Sequence, residues 1–331
     1  MPYKQQDAPT LSICIPAYNR PKWLRRAILS VLETSTDQQS QIEIVVSDDS
    51  TGTRCQGLVS ELMKNWHGSW QYQANVPNLG MAANWNRCIQ IATGRYVLLL
   101  HDDDYLEADA PTSILRSLQQ NADATALLFG VNVVTPRKEI CKRQVASRQQ
   151  YLNPEASLQC VLTDSSFIRF PGIVIQKTAF ATVGYFDTTI GGVADIDMWV
   201  RICHEHGLLR IPRAIANYTV HADALTMEMF TPQTVSLLEA IFDKVQYQQW
   251  LSKQTLQTCK ANYFSQFILA GTIRYIKTRN FKRAREVFNL FTQIDIQSRQ
   301  ASAKWKVIKA CLNTFFISTG AFIFALQSNE V

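Results

Sequence analysis

Three consecutive aspartates directly after an apolar segment are the strongest chemical signal in the sequence. Tyr96–Leu100 (YVLLL) is the most apolar strand candidate, and it leads into His101 and Asp102–Asp104. Adjacent carboxylates repel one another, and a hard divalent cation stabilises such a group because it prefers oxygen ligands. A metal bound there would hold a diphosphate. The alternative is a solvated turn that caps a helix beginning near Pro111.

Other polar positions also follow predicted structural elements. Asp48 comes after a β-branched run and is placed to accept hydrogen bonds from a base or ribose, or to form an Asx turn in SDDS. Asp195 and Asp197, in GGVADIDMW, begin a predicted helix. A carboxylate there is a candidate general base if the fold brings it opposite the metal, although Asp195 alternatively serves as an N-cap. His221, in YTVHADALT, is either a metal or phosphate ligand or a structural loop histidine.

Alternating apolar runs and helical patterns position these groups. Short apolar or β-branched runs predict strands, and helical spacing of apolar residues predicts helices from Pro21, Cys55 and Gly80. The predicted strands are Leu11–Ile15, Ile42–Val46, Trp70–Ala74 and Tyr96–Leu100. This alternation predicts an α/β fold with a mostly parallel sheet flanked by helices, which places ligands at the carboxyl ends of the strands.

The pattern changes after Asp104. We expect strands over residues 124–134, 168–176 and 208–218, a polar and basic loop over 137–150, and a helix over 195–206. From Phe230 the pattern is helical, with a hairpin around Arg279-Asn280. The predicted organisation is a catalytic domain over residues 1–228 and a basic helical extension over residues 229–331.

Composition and missing motifs exclude several classes. Apolar residues make up 47% and charged residues 18%, which rules out a disordered chain. The sequence has neither GxGxxG nor GxxxxGK[ST], so a dinucleotide dehydrogenase and a P-loop nucleotidase are disfavoured. The eight scattered cysteines include no CxxC pair, and the N-terminus shows no secretory signal. We therefore expect a cytoplasmic protein.

The net charge of +6 is unevenly distributed. Residues 251–331 carry 12 basic and 3 acidic residues, net +9, whereas the first 250 carry 21 basic and 24 acidic residues, net −3. A mildly acidic body argues against a nucleic-acid partner. Residues 310–329 contain no charge, but the apolar centre over 311–326 is too short, at about 24 Å, for the roughly 30 Å hydrocarbon core. We expect this tail to lie peripherally on a membrane surface, or to pack on the catalytic domain or on a second subunit; a spanning helix is the least favoured reading.

Taken in order, the motifs resemble family 2 glycosyltransferases, which have the nucleotide-sugar-binding GT-A fold. The resemblance covers residues 11–226. Its matching segments are SICIPAYNRPKWLRRAILSVL, IEIVVSDDST, NLGMAANWNRCIQIATGRYVLLLHDDDYL, FPGIVIQKTAFATVGYFD, ADIDMWVRI and YTVHADALT. The resemblance implies that the nucleotide sugar is bound by the following residues: Pro16, Ala17, Tyr18, Asn19, Asp48, Asn84, Asn86 and Asp102.

The resemblance also implies the metal site and the base. The D-x-D element of the family falls on Asp102–Asp104, so Asp103 is the best metal ligand, with Asp104 and His221 beside it and Mg²⁺ or Mn²⁺ as the ion. The catalytic Glu-Asp pair of the family aligns with Ala194-Asp195, where the Glu is missing. Asp195 is therefore the expected base and Asp197 the alternative. The Tyr-Arg-x-His segment keeps its histidine but has Thr219 in place of arginine.

The implied activity is an inverting, metal-dependent transfer of a sugar from a nucleotide-diphospho-sugar donor to a hydroxyl of a saccharide or lipid-linked saccharide. Two alternatives stay open at this stage. A catalytically degenerate nucleotide-sugar-binding protein would explain Ala194 and Thr219. A sugar nucleotidylyltransferase is less favoured, because the loop PAYNRPK after the first strand lacks glycine.

Overall fold

The structure is a computed structural model that describes residues 8–35, 37–221, 228–294 and 300–327, with side chains in the last range described as far as residue 317. The chain divides into two compact units. The first comprises Met1–Leu158 and Ile168–Ala222, and the second comprises Gln159–Phe167 and Asp223–Val331. This partition differs from the expected division after residue 228 in two segments, since Gln159–Phe167 and residues 223–228 belong to the second unit.

One mixed sheet forms the centre of the first unit. Its strands in the described residues are β1 (Leu11–Ala17), β2 (Ile42–Asp48), β3 (Ser69–Ala74), β4 (Tyr96–Leu99), β5 (Tyr105–Leu106), β6 (Ala126–Val134), β7 (Ile140–Gln144), β8 (Gln150–Leu152), β9 (Ile173–Gln176) and β10 (Leu208–Thr219). The spatial order is β3-β2-β1-β4-β9-β6-β10-β5, with β7 paired to β6 and β8 to β10.

The first four strands are parallel, as the alternating pattern predicts. β1 pairs with β2 from Leu11↔Ile42 and with β4 from Leu11↔Tyr96. Every residue of β1, β2 and β4 is buried, because helices cover both faces of a parallel sheet. The carboxyl ends of β1, β2 and β4 therefore lie at one edge of the sheet. β10 ends at this edge too, because β9 is antiparallel to both β4 and β6, and β6 is parallel to β10.

Helices connect the strands of this sheet. They are α1 (Pro21–Leu32), α2 (Arg54–Leu62), α3 (Met81–Ile91), α4 (Ala110–Gln120), α5 (Pro154–Thr163), α6 (Ala179–Val183) and α7 (Ala194–His206). Helix α1 has Pro21 at its first turn, where the fixed φ of proline suits a helix start. It buries Leu24, Ile28 and Val31, which recur at helical spacing. The predicted α/β class is confirmed.

The expected loop over residues 137–150 was wrong in one respect. It contains strand β7, which pairs antiparallel with β6. Most side chains of β7 are exposed, so the strand has no buried face and its sequence lacks the apolar alternation that marks a strand. The strand expected over residues 168–176 begins only at Ile173, because a 3₁₀ turn over Phe170–Gly172 precedes it.

Helices make up most of the second unit, as the sequence predicts from Phe230 onward. They are α8 (Pro232–Tyr247), α9 (Lys253–Lys277), α10 (Phe281–Phe288) and α11 (Ala303–Gln327). The predicted hairpin joins α9 to α10, and the Asn280 side chain caps α10. Phe316 of α11 packs with Leu269 and Phe288 of the two preceding helices. Among the described residues, no helix has both the length and the apolarity needed to cross a membrane.

Candidate active site

Asp102–Asp104 lie at the edge of the sheet where β4 ends, and Arg20 forms ion pairs with two of these carboxylates. The Arg20 guanidinium donates to both oxygens of Asp102, with Nη2–Oδ1 at 2.6 Å and Nε–Oδ2 at 3.2 Å. Its Nη1 donates to Asp103 Oδ2 at 2.9 Å. Burial raises the pKa of Asp102 to about 7, although the charge of Arg20 opposes this shift. The carboxylate cluster is therefore costly to ionise without nearby cations.

His101, Asp103 and Asp104 form a potential metal-binding group. One donor atom from each lies within 4.8 Å of the others. Among the described residues, the buried His101 Nε2 and Asp104 Oδ2 have no hydrogen-bond partner. Burial lowers the pKa of His101 to about 4, so its imidazole is neutral at pH 7 and keeps a lone pair for a metal. Two carboxylates and a neutral imidazole fit a hard or borderline divalent cation such as Mg²⁺ or Mn²⁺.

His221 lies beside this group. Its Nε2 is 3.0 Å from Asp103 Oδ2, and its ring stacks on Trp23 with centroids 5.2 Å apart. Burial opposes ionisation of Asp103, but the hydrogen bond with His221, the charge of His101 (which is protonated at the acidic pH where Asp103 titrates) and the charge of Arg20 outweigh it. The pKa of Asp103 therefore falls to about 2. Asp103 is thus the carboxylate of the cluster that is ionised most readily.

A second guanidinium reaches the same edge. Arg26 donates from Nη2 to the Asp103 carbonyl and to Thr219 Oγ1, the latter at 2.9 Å. Its guanidinium lies over the rings of Trp23 and Tyr105, 4.4 and 4.5 Å from their centroids. The Thr219 amide donates to Asp104 Oδ1 at 2.8 Å. Thr219 therefore lies at the carboxylate cluster. The resemblance aligns Thr219 with an arginine, and the guanidinium of Arg26 places a positive charge beside this threonine.

An aromatic cluster connects His101 to helix α7. The His101 ring packs on Trp85 and Phe170, with centroids 5.4 and 4.3 Å apart. Phe170 also contacts Trp199 of α7 and Phe186, at 5.2 and 5.9 Å. This packing holds α7 in the same cluster as the potential metal-binding histidine.

The two candidate bases at the start of α7 differ in their surroundings. Asp195 is partly exposed, and its Oδ1 accepts from the Ile196 amide at 2.8 Å. Burial raises the pKa of Asp195 to about 6, a value suited to accepting a proton near neutral pH. Asp197 is buried and accepts from Arg201 Nε at 2.8 Å. Because Arg201 also donates to the Val183, Gly184 and Tyr185 carbonyls, this ion pair anchors α7 to the preceding loop.

Most of the residues expected to line the nucleoside pocket lie at the carboxyl ends of β1 and β2 or directly after β1. Pro16 and Ala17 pair with Ser47 and Asp48. Tyr18 is 52% exposed. Asn19 has a φ of 54°, its amide donates to Ser50 Oγ, and its side-chain oxygen accepts from the Thr51 amide. Asp48 accepts from the Ser50 amide at 3.0 Å, as in an Asx turn, and from the Tyr72 hydroxyl at 2.6 Å.

Asn84 and Asn86 are buried on α3 and bonded to the protein. Asn84 accepts from Asn75 and donates to the Ala17 carbonyl. Asn86 donates to the Phe186 carbonyl at 2.8 Å and accepts from the Phe186 amide at 2.9 Å. Both polar atoms of the Asn86 amide therefore hold the loop before α7 in place.

The contacts of Arg20 and Arg26 were not predicted from the sequence, and His101 was not among the expected metal ligands. Arg20 directly follows the PAYN segment, and Arg26 lies about two helical turns later on α1. A basic residue such as Arg20, just before the first helix, gives no local signal of its target, because Asp102 is more than 80 positions away. His101 was recognisable as a donor next to three aspartates.

The sequence of this chain is similar to those of known proteins. Residues 12–180, more than half of the chain, match the model of glycosyl transferase family 2. An uncharacterized protein of Mycobacterium tuberculosis is 25% identical over 63% of this chain and 66% of its own length. The GalNAc(5)-diNAcBac-PP-undecaprenol beta-1,3-glucosyltransferase of Campylobacter jejuni is 29% identical over 37% of this chain and 38% of its own length. The chain thus spans less than two thirds of either relative.

Solved structures share the fold. The crystal structure of S. aureus TarS residues 1–349 aligns with a TM-score of 0.58 and 14% identity, over 86% of this chain and 91% of that chain. The mannosyltransferase PcManGT of Pyrobaculum calidifontis, in complex with GDP-Man and Mn²⁺, aligns with a TM-score of 0.56 and 13% identity, over 93% and 81% of the two chains. The fold is therefore that of GT-A glycosyltransferases. With the family match over residues 12–180, it follows that this chain belongs to glycosyl transferase family 2 and is a glycosyltransferase.

Proposed function

We propose that this glycosyltransferase moves a sugar from a nucleotide-diphospho-sugar to an acceptor hydroxyl in one inverting, metal-dependent step. The observation that carries the proposal is Asp195, a partly exposed carboxylate with a pKa of about 6 at the start of α7. The aromatic cluster ties that helix to His101. A base and a charge-stabilising site on opposite sides of a bound sugar are what a single displacement requires.

In this reaction Asp195 takes the proton of the acceptor hydroxyl. The acceptor oxygen forms a bond to the anomeric carbon while the bond from that carbon to the diphosphate oxygen breaks. The nucleoside diphosphate leaves with the electron pair on the side opposite to the attack, which inverts the anomeric centre. Asp197 is not free for this role, because its carboxylate is ion-paired with Arg201.

The residues suited to hold the cation are Asp103, Asp104 and His101. His221 is hydrogen-bonded to Asp103. When bound, Mg²⁺ or Mn²⁺ supplies positive charge to the diphosphate oxygens. Arg20 and Arg26 add two guanidinium groups at the same edge and are placed to bind phosphate oxygens. Asp48 and the segment Pro16–Asn19 would contact the nucleoside, and Asp102 would orient Arg20.

For the acceptor, a saccharide or lipid-linked saccharide in glycan biosynthesis is the proposed class. The name of the Campylobacter relative includes a saccharide linked to PP-undecaprenol. The excess of 12 basic over 3 acidic residues in residues 251–331 favours contact with an anionic membrane surface, where such acceptors reside. A cytoplasmic location with peripheral membrane contact is consistent with this chemistry.

The test is a transfer assay of the full chain with a panel of nucleotide sugars and saccharide acceptors, with Mg²⁺, with Mn²⁺ and with chelator. Proton NMR of the product gives the anomeric configuration. We expect metal-dependent transfer with inversion. Retention of configuration would refute the single displacement, and undiminished turnover in chelator would refute metal dependence. Nucleotide-sugar binding without turnover on every acceptor would instead favour a degenerate binding protein.

A further inference from the structure

The basic hairpin, which consists of the turn after β6 and strand β7, is an exposed surface to which the transfer reaction assigns no role. Residues 135–144 contain four basic residues and one acidic residue, namely Arg137, Lys138, Lys142, Arg143 and Glu139. All five side chains are exposed. Because the first 250 residues are net −3, this positive charge is a local concentration in an acidic body.

Acidic side chains do not neutralise the basic hairpin. Within the residues that the structure describes, none of its four cations forms an ion pair. Glu139 accepts a hydrogen bond from Thr135 Oγ1 at 3.3 Å, and Glu107 accepts one from Asn132 Nδ2 at 2.7 Å. Exposed cations are ordinarily solvated, so the position of the hairpin decides whether they can serve a function.

The tip of the basic hairpin lies beside the candidate active site. The Lys138 ammonium is 5.6 Å from the ring centroid of Tyr105, the residue directly after Asp104. The Arg26 guanidinium lies over the same ring at 4.5 Å and donates to the Asp103 carbonyl. Positive charge therefore continues from the carboxylate cluster onto the hairpin.

Strand β7 is connected to the site through a row of paired residues. Lys142 pairs with Val133 of β6, and Val133 pairs with Tyr218 of β10. Residues paired across neighbouring strands project to the same face of a sheet. The Arg169 guanidinium lies over the Tyr218 ring, 4.6 Å from its centroid. Burial raises the pKa of Asp195 and the charge of Arg169 opposes that rise, so this row runs from β7 towards the proposed base.

The strand order places the basic hairpin away from the nucleoside. β1 and β2, whose carboxyl ends carry the proposed nucleoside contacts, lie on one side of β4. β9, β6 and β10 lie on the other side, and the hairpin extends β6. The strand that leads into Asp102–Asp104 thus separates the hairpin from the nucleoside. This position suits an acceptor rather than a donor.

The spacing of the cations indicates which kind of anion fits. β7 spans five residues, Ile140–Gln144, which is about 17 Å at roughly 3.4 Å per residue. Arg137 and Lys138 extend the row of cations through the turn. A single phosphate or diphosphate would contact only part of such a row. A saccharide chain with negative groups on successive sugars would place charges along its whole length.

We propose that the basic hairpin binds the acceptor, and that the acceptor is an acidic saccharide chain with repeated negative groups. The inference rests on the proposed function, because it names the acceptor class for the same site. The cations bind the negative groups, while the hydroxyl at the chain end reaches Asp195. Salt screens contacts between exposed charges, so it raises KM for the acceptor and leaves the rate at saturating acceptor nearly unchanged.

The first test measures binding without catalysis. Calorimetry of the full chain compares decagalacturonate with its fully methyl-esterified form, which has the same sugars without the charges. Lys142→Gln/Arg143→Gln removes two charges of the hairpin. The control, Lys64→Gln/Arg116→Gln, removes two exposed charges elsewhere in the same unit.

We expect wild type to bind decagalacturonate at least about 10-fold more tightly than the ester. The hairpin variant should lose at least about 10-fold in affinity for decagalacturonate, and the control at most about 2-fold. Equal losses in the two variants would mean diffuse attraction and would overturn the proposal. Absence of decagalacturonate binding, or no preference over the ester, would overturn it too.

The second test separates a saccharide chain from other anions. Flotation with phosphatidylglycerol vesicles should be the same in the hairpin variant and the control, because the proposed membrane contact lies in residues 251–331. A loss of vesicle binding confined to the hairpin variant, with decagalacturonate binding unchanged, would assign the hairpin to the membrane. Inorganic diphosphate that binds as tightly as decagalacturonate would assign it to a single anionic group. Either result overturns the proposal.

Transfer kinetics separate this inference from the proposed function. Acidic saccharides should have KM values at least about 10-fold below those of their neutral counterparts, and Lys142→Gln/Arg143→Gln should remove this difference. Binding of decagalacturonate through the hairpin, without transfer to any acceptor, would contradict the proposed function alone. Transfer with KM values that do not depend on the hairpin charges would contradict this inference alone.

Discussion

Asp195 combines exposure with a raised pKa, and Asp197, two residues later, is buried in an ion pair. We predict that Asp195→Asn lowers kcat by about 10²- to 10⁴-fold, the usual contribution of a general base, while the donor dissociation constant changes less than about 2-fold. Initial rates and calorimetry with the nucleotide sugar measure the two effects.

Asp197→Asn is the matched control for this substitution. It leaves the Arg201 guanidinium without its carboxylate partner and should lower the unfolding free energy by about 2–4 kcal/mol, with transfer by the folded protein retained. Wild-type turnover in Asp195→Asn, together with inactivity of folded Asp197→Asn, would transfer the base role to Asp197.

The raised pKa of Asp195 also predicts a pH dependence. A carboxylate accepts a proton only when ionised, so kcat/KM should fall about tenfold per pH unit below about 6. Desolvation of this partly exposed carboxyl disfavours its ionised form, so the folded state loses stability as pH rises from the ordinary aspartate pKa through the folded pKa. Asp195→Asn has no such ionisation and should not lose this stability. That variant should therefore be more stable than wild type by up to about 3 kcal/mol at pH 8, with the gain absent below about pH 4.

Rate profiles and urea denaturation at several pH values test both parts. A wild-type profile that stays flat between pH 5 and 8 would contradict the first part. A pH-independent stability difference would contradict the second.

His101 offers a test of the metal site that does not depend on activity. His101→Phe keeps an aromatic ring between Trp85 and Phe170 but removes the nitrogen donors. We predict at least about tenfold weaker Mn²⁺ binding by the donor-free protein, measured by electron paramagnetic resonance. The exposed His67 provides the control, and His67→Phe should bind Mn²⁺ as wild type does. Unchanged affinity in His101→Phe would exclude His101 as a ligand.

At the scale of structural elements, one buried carboxylate ties the first strands together. Glu43 of β2 accepts from Ser12 of β1 at 2.5 Å and from Gln71 of β3 at 2.7 Å. It also accepts from the amide and hydroxyl of Thr93, in the turn before β4. Burial disfavours its ionised form, but these hydrogen bonds outweigh burial and lower the pKa of Glu43.

We predict that Glu43→Ala lowers the unfolding free energy by about 2–4 kcal/mol at pH 7, because four donors lose their acceptor. Since the folded-state pKa is depressed, this contribution is present above the ordinary glutamate pKa and is lost as pH falls through the folded value. Urea denaturation checks this. Glu61→Ala, at an exposed and distant ion pair, should change stability by less than about 0.5 kcal/mol. An effect of Glu43→Ala no larger than this control would contradict the network.

At the scale of the whole molecule, the net charges of −3 and +9 predict two kinds of salt dependence. Raising NaCl from 0.05 to 0.5 M shortens the screening length from about 14 to about 4 Å. Binding to anionic vesicles should weaken more than tenfold over this range. Transfer to a water-soluble acceptor should change less than about 2-fold, because the catalytic groups act at contact distance. Salt-independent vesicle binding would contradict the role of the basic residues.

The first part of α11 is packed against the two helices that precede it. Phe316 and the surrounding aromatic residues contact α9 and α10, so the tail packs on its neighbouring helices through its first part. A chain ending near residue 299 would expose Leu269 and Phe288. Point substitutions on the surface of α11 are therefore a better probe of membrane contact than truncation.

The sequence by itself determined the elements whose signals are local. β1, β2 and β4 were predictable because parallel strands buried on both faces are continuous apolar runs, and α7 because its apolar residues follow helical spacing. The order of these elements and their polar ends also carried the family resemblance. β7 was missed because an exposed edge strand has no apolar face to produce a pattern.

Only the tertiary structure decided which charged groups meet. The contacts of Arg20 with Asp102, and of Arg26 with Thr219, join positions 82 and 193 residues apart, and no local pattern encodes such contacts. The surroundings of each group also differ in ways that the sequence does not show. Desolvation raises the pKa of Asp195, Asp197 is ion-paired with Arg201, and burial lowers the pKa of His101. The energy of a charge depends on the atoms packed around it. Residue type specifies the available chemistry, whereas three-dimensional packing sets the charge state and the partner of each group.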